Sequence, residues 1–148
     1  MRSIFCPPII AKVALEIGIR FSLHHRDRQA MSIFDWIVKK FGERSELSFA
    51  TISATALIRK GFLLEAGNRL DEALQAYTKV ITRFADREAM TERVAAAKFN
   101  RGAVLEAMSR PALAEKDYLE LLLSFSESED ERLRALAEVS KRRLNRRR

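Results

Sequence analysis

The sequence predicts an all-α protein, a solenoid of three helical hairpins closed by a seventh helix. Three observations predict it. The first is a five-slot pattern that recurs three times with unchanged spacing: Gly, Arg eight residues on, Ala four further, an aromatic after four more, and Phe seven beyond. The copies are Gly18, Arg26, Ala30, Phe34, Phe41; Gly61, Arg69, Ala73, Tyr77, Phe84; and Gly102, Arg110, Ala114, Tyr118, Phe125, starting 43 and then 41 residues apart. A fixed period of that size marks stacked hairpins, none of which can bury its apolar face alone. The second is apolar spacing of three and four residues with no strand-like alternation. The third is that five Gly and three Pro are few for 148 residues, which suits long helices with short connections.

The elements follow in order. Pro7 and Pro8 suit the first turn of a helix over 8–24, whose apolar face is Ala11, Leu15, Gly18 and Phe21. Polar residues from His24 to Arg28 make a turn. A second helix over 29–41 carries Ala30, Phe34, Ile37, Val38 and Phe41, with Gly42 placed as a C-terminal cap. The unit recurs over 47–67, with Ala54, Leu57, Gly61 and Leu64, a turn at Gly67-Asn68, and a helix opened by Asp71 and Glu72 that runs to Phe84. The third hairpin spans 90–109 and 111–125, with Pro111 at its second helix start. A closing helix over 129–146 follows, with Ser128 and Glu131 as a capping box and Leu133, Leu136, Val139 and Leu144 on its face. The repeats thus cover about 8–42, 47–85 and 90–125 of a single domain, 1–148.

Each slot has a physical reason. Two antiparallel helices approach closely only where side chains are small, so Gly on the first is expected to face Ala on the second. The aromatic one turn past Ala fills the space between hairpins, and Phe seals the open end. Arg26, Arg69 and Arg110 are expected to cap the last carbonyls of the first helices.

Composition narrows the function. The net charge of +7 is concentrated at one end, because residues 141–148 hold six positive charges and no negative ones, which leaves +1 for the rest. Lys141, Arg142, Arg143, Arg146, Arg147 and Arg148 form a basic tail able to attract anions or nucleic acid in a salt-sensitive way. It lacks the interleaved aromatics of a single-strand binder. Cys6 is the one cysteine, so no internal disulfide forms, and a buried free thiol is the plain expectation. Arg2 ahead of Ile4, Phe5, Ile9 and Ile10 resembles a leader, but Pro7, Pro8, Lys12 and Glu16 break it and no small-residue cleavage site follows. No run reaches the roughly 18 apolar residues of a spanning helix. A soluble, cytoplasmic protein is expected. His24-His25 has no partners for a metal site, and no phosphate-cradling Gly-rich loop exists, so neither cofactor nor enzymatic activity is expected.

The Gly-x-x-Leu and Ala-x-x-x-Tyr pairs resemble the tetratricopeptide repeat, in a bacterial-type form with extended loops at 42–48, 85–91 and 126–130. The resemblance covers residues 11–125. It departs at Lys60 and Arg101, where a large residue usually precedes Gly, and in lacking the Pro that usually ends the second helix.

That resemblance implies a right-handed solenoid, a scaffold or adaptor, whose first helices line a concave groove for another protein's helix or peptide. Its slots fall on Lys12, Leu15, Ile19 and Ser22 in the first unit, on Thr55, Ile58, Phe62 and Glu65 in the second, and on Ala96, Phe99, Ala103 and Glu106 in the third. Arg59 and Asn100 lie beside them. This reads as an apolar floor with an acidic edge, suited to an apolar helix and not to a terminal carboxylate. The closing helix or a second copy of the chain could fill it instead. The first hairpin has no capping helix ahead of it, so residues 1–24 pack against something else or the chain is a piece of a longer array.

Overall fold

The computed structural model describes residues 7–146; Cys6 and the rest of residues 1–6, and Arg147 and Arg148, lie outside the described residues. Seven α-helices make up the fold: α1 (Pro8–Leu23), α2 (Asp27–Phe41), α3 (Leu47–Ala66), α4 (Leu70–Phe84), α5 (Thr91–Ala107), α6 (Pro111–Phe125) and α7 (Glu131–Asn145). Among the described residues there is no strand. Each helix packs on the next, and α1 on α3, α3 on α5 and α5 on α7 as well, so three hairpins stack in a row with α7 closing it. Ala30, Ala73 and Ala114 are all fully buried, as nested hairpins require.

The Gly slot works differently from the expectation. A Cβ built on Gly18 would stand 2.7 Å from Phe34 Cε1, one on Gly61 2.6 Å from Tyr77 Cε1, and one on Gly102 2.7 Å from Tyr118 Cε1. Gly therefore makes room for the aromatic ring, not for the Ala one turn earlier. Those rings are fully buried, and truncating Tyr77 or Tyr118 to Ala should cost about 3–5 kcal/mol. Phe41 and Phe84 are buried as expected, whereas Phe125 is half-exposed near the end of the row.

The turns inside the hairpins are three copies of one motif. Arg26 N–H donates to the Phe21 carbonyl and His25 N–H to Ser22, Arg69 to Leu64 and Asn68 to Glu65, Arg110 to Leu105 and Ser109 to Glu106. This is the paired bonding that ends a helix through a left-handed residue, here His25, Asn68 and Ser109, each near φ +56° (55°, 57° and 57°). The Arg backbone N–H, not its guanidinium, does the capping. Gly67 and Gly42 are both right-handed, and Ala85 and Ser126 at the caps matching Gly42 share its backbone. Gly67 has room for a Cβ, whereas one on Gly42 would strike the Val38 carbonyl, so the close approach requires glycine at Gly42 alone.

Other expectations need correction. Asp130, not Ser128, caps α7, accepting from the N–H of Arg132 and Leu133, while Ser128 Oγ accepts from Asp130 N–H. Val139 is exposed, and Leu133, Ala137 and Ser140 form the buried face. A 3-10 turn, Glu88–Met90, precedes α5 and buries Met90. Finally, α3 is long and apolar enough to cross a membrane by length and composition alone, with a mean hydropathy of 1.3 over its window. Its position explains this, because it packs on α1, α2, α4 and α5 and half of that window is buried. A helix wrapped on several sides reads apolar all round.

Candidate functional site

A groove of about 530 Å³ runs between α3 and α5. From α3 come Thr55, Ile58, Arg59 and Phe62, which share one helix face by their three- and four-residue spacing. From α5 come Glu92, Arg93, Ala96 and Asn100, and α7 adds Arg132 at one end. Ala96 and Asn100 stand in the repeat slots of Thr55 and Arg59, so stacking of like hairpins sets two like faces side by side. Phe62 is 61% exposed, an apolar ring open to whatever enters the groove.

The charge of this groove is the reverse of the sequence reading. Its lining has Arg59, Arg93 and Arg132 against Glu92 alone. Arg132 donates to Glu92 at 2.7 Å, and Arg93 Nε donates to Thr55 Oγ1 at 3.2 Å. Among the described residues neither Arg59 nor Arg93 forms an ion pair. The edge around Phe62 is basic, not acidic.

The acidic residues lie further along and are engaged. Glu106 accepts from the Tyr118 hydroxyl at 2.9 Å and from Arg143 of α7 at 2.8 Å. Glu65 accepts from the Tyr77 hydroxyl at 3.5 Å. Burial raises the Glu65 pKa above the usual carboxylate value, with the Tyr77 bond and the positive Arg143 opposing. Burial beside Glu65 also pushes Tyr77 well above an ordinary tyrosine. Phe99 tilts against Tyr118 with centroids 5.7 Å apart, under the Arg143 guanidinium at 6.0 Å. The closing helix therefore covers Phe99 and leaves Phe62 open.

The remaining expected residues separate. Leu15 and Ile19 are half-buried against the cluster of Phe34, Phe49 and Ile52, and Lys12 is exposed on α1. None of the three lines the groove. Ala103 is half-buried on α5 and also lies outside its lining. The basic tail is in large part helix: Lys141, Arg142 and Arg143 lie in α7 and Arg146 ends it, with Arg143 bound to Glu106. Among the described residues no cluster of three His, Cys, Asp or Glu could hold a metal ion.

The sequence reading missed Glu92, Arg93 and Arg132. Arg93 was findable, since 93, 96 and 100 share a helix face. Arg132 was not, because α7 belongs to no repeat. Comparison with family models, with curated proteins and with solved structures finds no match to this chain.

Proposed function

We propose that the chain is a non-catalytic interaction module of the tetratricopeptide kind, a cytoplasmic scaffold or adaptor that holds an acidic, apolar helix or peptide of another protein against Phe62. The observation that carries this reading is the exposed Phe62 in a groove where, among the described residues, the guanidiniums of Arg59 and Arg93 are in no ion pair. An apolar anchor would cover the Phe62 ring, and carboxylates beside it would meet the two arginines, giving specificity more than raw affinity. Neither a metal nor a cofactor enters this reading.

Capture from native extract tests it, comparing the wild type with Phe62→Glu, Arg59→Glu and a chain in which Lys141, Arg142, Arg146, Arg147 and Arg148 are each replaced by Gln while Arg143 is kept. The proposal expects Phe62→Glu to lose the captured protein, Arg59→Glu to weaken it by about tenfold, and the neutralised chain to keep it at moderate salt. Capture that survives Phe62→Glu but vanishes in the neutralised chain, with a steep loss as salt rises, would instead assign the binding to anion or nucleic-acid contact through the basic residues.

A further inference from the structure

The two ends of the row are unlike. At the α7 end the outward positions hold Arg134, Glu138, Lys141 and Arg142, all exposed, a polar cap of the kind that terminates a stack. At the α1 end they hold Ile10, Val13 and Ile17, which are 47%, 48% and 44% exposed.

The repeat supplies its own control for these positions. Counting from the Gly slot, Ile10, Val13 and Ile17 match Ser53, Ala56 and Lys60 on α3, and Val94, Ala97 and Arg101 on α5. Ser53 and Ala56 are at most 1% exposed, Val94 8% and Ala97 0%. Ala56 lies in one apolar cluster with Ala30, Phe34 and Phe41 of the first hairpin, and Val94 and Ala97 lie in one with Tyr77 and Val80 of the second. In units two and three Ala56, Val94 and Ala97 pack on the preceding hairpin, while Lys60 and Arg101 in the third slot are charged and ion-paired. In unit one the same slots are open, and they carry three large β-branched side chains. The face is shaped to receive a helix.

We propose that the occupant is the α1 helix of a second copy, packed antiparallel about a two-fold axis near residues 13 and 14. A two-fold interface must be self-complementary, and this face is. Ile10 and Ile17 stand at equal distances either side of that axis, midway between 13 and 14, so each meets the other in the second copy, and the two Val13 side chains flank the axis beside Ala14. Lys12 and Glu16, both exposed, fall on opposite sides of it and are offset from exact balance by about one residue, roughly 1.5 Å of helix rise, a gap their long side chains span to set each lysine beside the opposing glutamate. A head-to-tail stack is disfavoured, because it would press the apolar α1 face onto the charged α7 face. Two 16-residue helices make a small contact beside the roughly 800 Å² per partner of a standard interface, so association is sought at micromolar and higher concentrations.

Sedimentation equilibrium of the full chain over a micromolar concentration series tests this, with helical circular dichroism checking that each variant is folded. The expected result is a mass rising towards twice the monomer. Val13→Glu weakens association by about a hundredfold and Lys12→Glu by about tenfold, while the double swap K12E/E16K returns it to within about threefold of the wild type. A wild type that stays monomeric throughout overturns the proposal, as does a dimer that Val13→Glu leaves intact or one the double swap fails to restore. A chain lacking residues 1–6 that dimerises where the wild type does not would give the face to that segment, and overturns it too.

Discussion

Arg143, near the end of α7, donates to the Glu106 carboxylate of α5 across 2.8 Å, and the Tyr118 hydroxyl of α6 donates to the same oxygen at 2.9 Å. Three helices meet at one acceptor. The composition marks Arg143 as one more charge in a basic tail, but its position makes it the fastening of the closing helix. Because Arg143 is partly exposed, Arg143→Ala should cost about 1–2 kcal/mol, towards the lower end for a charge-assisted bond. Arg142→Ala, one residue away and exposed, should stay within about 0.5 kcal/mol. Urea unfolding of the two variants checks this, and equal costs would remove the fastening role.

The matching pair in the second unit gives a pH prediction. Burial raises the Glu65 pKa, and the Tyr77 hydroxyl holds part of that rise back. A carboxyl whose folded pKa exceeds its unfolded value destabilises the fold at neutral pH. As pH falls from the raised value to the ordinary one, the folded state takes up the proton first and this group's penalty disappears. Tyr77→Phe removes the opposing bond, so Glu65 should titrate higher still, read by carboxyl NMR. Glu72 and Glu120 move the other way, held low by Arg69 and Lys98, so their contribution is present above the usual carboxylate value and lost as pH falls through their lowered values. Glu65 titrating below the usual range would contradict the burial argument.

Two glycines that look alike in composition should respond oppositely to Ala. At Gly102 a Cβ would stand 2.7 Å from the Tyr118 ring, which is packed on every side, so Gly102→Ala should cost about 1–3 kcal/mol. At Gly67 the nearest atoms would be 3.4 Å away and the backbone is right-handed. Gly67→Ala should therefore be neutral or stabilise by up to about 1 kcal/mol, through the lost freedom of the unfolded chain. Thermal unfolding separates the two; destabilisation of similar size at both would mean the ring contact does not set the slot.

Most of the fold was legible because it repeats. Three copies of Gly, Ala and aromatic at one spacing fixed which faces pack, and every Ala in that slot is buried. What the pattern did not carry was the partner across the contact: Gly18, Gly61 and Gly102 make room for rings four residues past the Ala, and since Gly-to-Ala and Gly-to-ring spacings are equally constant in every copy, spacing alone does not tell which of the two the Gly faces. The left-handed residues His25, Asn68 and Ser109 were hidden for the opposite reason, since three different side chains fill one backbone role. Lys60 and Arg101 stood out as departures before Gly, and each proves to be paired, with Asp35 and with Asp117. The groove was half legible. Thr55, Ile58 and Phe62 follow from the repeat, but its charge depends on Arg93 and on Arg132 from a helix outside the repeat.

Ser53 and Asp117 are both buried polar residues, and they should behave in opposite ways. Ser53 Oγ has no hydrogen-bond partner among the described residues, so its hydroxyl lost water and gained nothing. Ser53→Ala keeps the space small and should stabilise by about 1 kcal/mol. Asp117 accepts twice from Arg101, at 2.8 and 2.6 Å, with the carboxylate 2% exposed. Asp117→Asn leaves the Arg101 guanidinium half-matched inside the α5–α6 contact and should cost about 3 kcal/mol. The double variant should equal the sum of the two, since no bond links the sites. Ser53→Ala that destabilises by more than about 1 kcal/mol would show that the hydroxyl has a partner, an ordered water included, and that this slot is polar by need.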